Sequence, residues 1–123
     1  MQRDFELIRK LLVYFRDKEG PEHVLSPQVG NEYTESQVQY NLRLMYQAGL
    51  LNCEVEQSST SDRIIRVIPF DLTWEGHEFL AKITADGVWP KLKQFIASKG
   101  DSVAFAVVNE LATKLALGAA GIP

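Results

Sequence analysis

Two histidines and one cysteine are the residues best suited to metal or nucleophile chemistry, and their spacing assembles neither. His77-Glu78 opens like H-E-x-x-H, a motif whose two histidines, one helical turn apart, hold zinc. Residue 81 is alanine, so the second ligand is missing. His23 and Cys53 fall on other segments, and a single cysteine forms no intramolecular disulfide, which fits a reducing cytosol. Neither a G-x-G-x-x-G loop nor a P-loop occurs. The expectation is two exposed histidines, a core-facing cysteine, no metal, no cofactor and no catalytic residues: the chain does not read as an enzyme.

Base recognition is the other chemistry these residue types offer. Between Thr34 and Leu51, Ser36, Gln37, Gln39, Tyr40, Arg43 and Gln47 recur on the polar side of a helical pattern whose apolar side is Val38, Leu42 and Met45. Glutamine pairs with adenine and arginine with guanine in the major groove. Arg63 and Arg66, downstream, are placed to touch phosphates. Affinity for a duplex comes mainly from neutralised phosphates, and here the supply of cations is short. The formal net charge is -3, and residues 1–80 hold 8 lysines and arginines against 13 aspartates and glutamates. Arg43 is the one cation on the outward face of its helix, and Glu54 and Glu56 lie where they could pair with Arg63 and Arg66.

The elements that would position these residues follow from local signals. Residues 4–18 read as a first helix, with Phe5, Ile8, Leu12 and Phe15 at helical spacing and Gly20-Pro21 as the stop. Residues 22–33 suit a short strand or a stunted helix, because Pro27 and Gly30 oppose a regular one. Thr34 with Gln37 makes a capping box, Asn41 sits half-buried at the apolar edge, and Gly49 ends the helix. Cys53–Glu56 alternates like a strand, Ser58–Asp62 is a polar turn, and Arg63–Phe70 is a second strand, so a hairpin spans roughly 52–71. Three helices follow: from Thr73 to about Ala85, with Trp74, Phe79, Leu80 and Ile83 on its apolar side; from Asp86 or Gly87 to Lys99-Gly100, with Trp89 in its core; and from Asp101-Ser102 to about Leu117. Helical periodicity places both tryptophans in packing rather than in base stacking.

Helix, Gly-ended turn, polar-tipped hairpin and a new helix on Leu-Thr is the order of a winged helix-turn-helix. The expected fold class is α+β, mostly helical: a winged helix-turn-helix over residues 1–86, with two additional C-terminal helices in an extension over 87–118. The last helix is apolar around much of its circumference, so it is expected to be buried on more than one side. Its Val103, Phe105, Val107, Val108, Leu111 and Leu115 are the expected homodimer contacts. No stretch approaches the ~20 apolar residues of a membrane span, and the start of the chain lacks a signal-peptide core. The expected location is cytoplasmic.

Three phrases resemble a family of short bacterial and phage proteins known only as a domain of unknown function. They are Arg3-Asp4-Phe5-Glu6-Leu7-Ile8-Arg9-Lys10, the run from Val38-Gln39-Tyr40-Asn41-Leu42 to Ala48-Gly49-Leu50-Leu51, and Leu72-Thr73-Trp74-Glu75-Gly76-His77-Glu78-Phe79-Leu80. Val88-Trp89-Pro90-Lys91 matches in position too. The resemblance implies a winged-helix fold in a prokaryotic or prophage setting and brings no catalytic residues. A slighter likeness to small winged-helix repressors rests on the helix end at Ala48-Gly49-Leu50 and the helix start at Leu72-Thr73; this chain has Arg43 where such repressors carry several cations. Two functions follow: a small DNA-binding transcriptional regulator acting as a dimer, and, as the alternative, a protein-interaction module, such as a phage protein docking on a host complex without binding DNA.

Overall fold

A computed structural model describes residues 1–100 and 102–123. It is an α+β fold, about half helical, with five helices and one two-stranded antiparallel sheet among the described residues. The order is α1 (Phe5–Asp17), α2 (Glu35–Gln47), β1 (Leu51–Gln57), β2 (Ile64–Leu72), α3 (Trp74–Thr84), α4 (Val88–Lys99) and α5 (Phe105–Ala119). The chain forms two compact units, Met1–His77 and Glu78–Pro123, dividing inside α3. The expected boundary at residue 86 follows the end of that helix. Among the described residues no helix is long and apolar enough to cross a membrane.

In the first unit α1 starts where Asp4 accepts a hydrogen bond from the Leu7 amide at 3.1 Å, and its inward stripe of Phe5, Leu7, Ile8, Leu11, Leu12 and Phe15 is buried. A helix of 13 residues is marginal alone. Fully burying one such side chain contributes about 1.5–3 kcal/mol, so packing rather than propensity holds it. α2 carries the expected capping box: Gln37 N donates to Thr34 Oγ1 at 3.1 Å and Thr34 N to Gln37 Oε1 at 2.8 Å. Its end is a Schellman turn. Gly49 N donates to Tyr46 O and Leu50 N to Met45 O, with Gly49 at φ 79°, a value a Cβ disfavours.

Leu50 and Leu51 then return to the core and open the hairpin. β1 and β2 pair with Val55 opposite Val67 and Glu56 opposite Arg66, and Ser58 N closes the polar turn on Arg63 O at 2.8 Å. Pro69 sits in β2 without harm to the ladder. Its carbonyl points to the outer edge, where it accepts from Val24 N at 2.9 Å. In an antiparallel strand the N–H that proline lacks would face that same edge. Residues 22–33 form neither the short strand nor the stunted helix that the sequence suggests. Side chains fasten the segment instead: His23 packs edge-on against Phe70 and approaches Glu54 at 3.2 Å, and Lys10 pairs with Glu32 at 2.5 Å.

The buried Asn41 joins α1 to α2. Its Oδ1 accepts from Asp4 N at 2.8 Å, and its Nδ2 donates to Gln37 O at 2.9 Å and to Gln2 O at 3.4 Å. The sequence places it half-buried; it is fully inside because all its polar atoms find partners.

In the second unit Phe79, Leu80 and Ile83 of α3 are buried as expected. Trp74, on the part of α3 that belongs to the first unit, is by contrast 75% exposed and no part of the core. It is the first residue of α3, where the cap at Thr73 rather than the apolar stripe sets the helix direction. α4 runs between Gly87 and Gly100 with Pro90 in its first turn, where no intrahelical amide is needed. α5 starts at Phe105, later than the expected Asp101-Ser102; Asp101 lies outside the described residues. Phe105 packs on Phe79 at 5.1 Å between ring centroids, and Lys82 Nζ donates to Asn109 Oδ1 at 3.1 Å. Within one copy of the chain Val108 and Ala112 are the buried residues of α5, so Val108 is taken up inside the second unit rather than left for a dimer contact. Much of its apolar circumference is alanine or partly exposed.

Candidate functional site

The outward face of α2 borders a cleft of about 460 Å³ within the first unit. It is lined by Met1, Leu25, Ser26, Glu35, Ser36, Gln39, Tyr40, Arg43, Ile65 and Arg66. The helix supplies one wall, the segment before it another, and the tip half of β2 the third. Ile65 is the unpaired residue of a β-bulge between Arg66, opposite Glu56, and Ile64, opposite Gln57, and it is 45% exposed on the cleft. Leu25 is 49% exposed, and Met1 is open to solvent as well. Three apolar side chains thus converge on one hollow.

Its polar residues are largely committed to the fold. Arg43 Nη2 donates to two backbone carbonyls of β2, Ile64 O at 2.9 Å and Ile65 O at 3.0 Å. Gln39 Nε2 donates to Leu25 O, which holds the preceding segment against the helix. Gln37 is spent in the capping box. Arg66 Nε meets Glu56 Oε2 at 2.5 Å, the cross-strand pair expected from the sequence. Glu54 turns to His23 instead of to an arginine. Ser36 and Gln47 are exposed, and Tyr40 is half-buried. Arg63 is exposed where β2 begins and pairs with no carboxylate among the described residues. The cleft therefore gathers Ser36, Gln39, Tyr40, Arg43 and Arg66 and leaves Gln37, Gln47 and Arg63 outside. Met1, Leu25 and Ile65 escaped the sequence reading; the bulge that turns Ile65 to the cleft depends on the strand register, which no local signal gives.

His23, Cys53 and His77 stay on separate elements, and no cluster of three potential metal ligands occurs among the described residues. Cys53 is half-buried on β1, and burial pushes its thiol up to about 12. The thiolate is the reactive form. We expect Cys53 to resist iodoacetamide at pH 8 in the native protein and to be alkylated promptly once denaturant is added. Alkylation of native protein at the rate of a free thiol would contradict this placement.

The chain is similar to an uncharacterized protein of Haemophilus influenzae (strain ATCC 51907 / DSM 11121 / KW20 / Rd), 31% identical over 112 residues that cover 91% of this chain and 92% of the relative. No solved structure matches. Residues 2–102, which include every element through α4, match the family described as a hypothetical protein, DUF2513, and the chain belongs to that family.

Proposed function

We propose that residues 1–77 are a winged-helix-type module that docks on another protein through the cleft beside α2 and carries no catalytic activity. The observation that carries this reading is the placement of Arg43. The one cation on the outward face of the would-be reading helix spends its guanidinium on the Ile64 and Ile65 carbonyls. A base contact would have to break these bonds and leave two strand carbonyls in search of partners. With Arg66 held by Glu56, the face has little left with which to displace counterions. What it offers instead is exposed Leu25, Ile65 and Met1 around a hollow, the composition of an anchor pocket.

Arg63 supports a second reading, weak DNA binding through the hairpin, because its charge is uncommitted. One titration separates the two. On the docking reading, no random or genomic duplex is shifted at low salt by tens of micromolar protein. A photoreactive residue replacing Tyr40 then crosslinks a defined protein in cells, and Ile65→Asp abolishes the adduct while Arg63→Ala keeps it. A salt-sensitive DNA shift lost in Arg63→Ala would instead make the module a DNA binder.

A further inference from the structure

We propose that α5 pairs antiparallel with α5 of a second copy of the chain, about a two-fold axis level with residue 112. One side of the helix is spent inside the second unit, where Val108 and Ala112 are buried, Phe105 packs on Phe79 and Asn109 binds Lys82. At 100° per residue, Val107, Glu110, Lys114 and Leu117 fall within about 80° of one another on the opposite side. All four are exposed, the apolar pair at 47% and 39%.

The order of these residues identifies the occupant. Reversing the helix about residue 112 lays Val107 against the second copy's Leu117 and Glu110 against its Lys114. Each exposed group thus meets a complementary one under a single operation, as a two-fold interface requires. A parallel pair would set glutamate on glutamate and lysine on lysine, so charge selects the antiparallel arrangement. Within one copy Glu110 and Lys114 are 3.7 Å apart and both open to solvent, so the carboxylate and ammonium retain free capacity for a partner across the axis. The seam is short, about 15 Å from Val107 to Leu117, so the dimer is weak and forms only at high concentration.

Sedimentation velocity on the full chain, from a few to several hundred micromolar at low salt, tests the pairing. The parent should show a concentration-dependent dimer. Glu110→Lys and Lys114→Glu should each weaken it by about 10-fold or more, since two attractive contacts become repulsive. Mixing the two variants should restore association, because each then faces opposite charge. The double variant Glu110→Lys/Lys114→Glu should self-associate like the parent and should not prefer the parent as a partner. Circular dichroism confirms that each variant keeps its helices. A monomer at every concentration, single variants that dimerise like the parent, or a double variant that prefers the parent would each overturn the proposal.

Discussion

Gly76→Ala should lower the melting temperature by roughly 4–24 °C. The first turn of α3 is seated on the end of α2. Thr73 N donates to Leu50 O at 3.1 Å, the Thr73 hydroxyl donates to Gly49 O, and Gly76 N caps back onto Thr73 Oγ1 at 2.9 Å. These bonds bring residue 76 so close that an added Cβ would stand 2.2 Å from Leu50 O. The obstacle is backbone, fixed by the Schellman turn, so no rotamer relieves it. Alanine gains about 1 kcal/mol of helix propensity over glycine. Overpacking against an immobile carbonyl costs roughly 2–4 kcal/mol, and the clash wins. At about 4–8 °C per kcal/mol for a small domain, the fall is large enough to read by thermal circular dichroism. An unchanged transition would show that α3 is free to shift off Leu50.

That contact marks the limit of what the residues disclose in order. Thr34 with Gln37, Gly49 ahead of two leucines, and the polar run at Ser58–Asp62 act on their neighbours within a few positions. Their capping box, helix end and hairpin turn could therefore be read directly, as could the three helices that follow. Trp74 could not. Its wheel position points inward only if the stripe decides, whereas the seat of Thr73 on Gly49 and Leu50 sets the direction of that turn and leaves the ring exposed. The cleft depends on contacts more distant still. Arg43 looks outward on a helical wheel, but β2 returns beneath it and supplies two carbonyls. Charge counting saw a scarcity of cations; it could not see that the fold uses most of them internally.

Asn41→Asp, a change of one atom and one charge, should cost about 3–5 kcal/mol at pH 8, the cost of leaving a buried charge uncompensated. The new carboxylate could still accept from Asp4 N. It would present its second oxygen, without a proton, to the Gln37 and Gln2 carbonyls that the amide now satisfies. The nearby Asp4 carboxylate is itself tied to the Leu7 amide. Burial, the two carbonyls and the like charge all favour the neutral acid, so the folded-state pKa of the introduced group lies above its unfolded value of about 3.9. The sign follows. Below the unfolded pKa the side chain is protonated in both states, donates to Gln37 O, and the variant approaches its parent. As pH rises towards the folded pKa the unfolded state loses the proton first, and stability drains away. The measured quantity is the parent-minus-variant difference in denaturant midpoint between pH 4 and pH 8, which cancels the titration of carboxylates common to both chains. It should widen steadily with pH. Asn41→Leu, with no proton to exchange, should show a deficit of about 2–4 kcal/mol that is flat across the same range. A flat Asn41→Asp difference would mean that residue 41 is reached by water and does not hold α1 to α2.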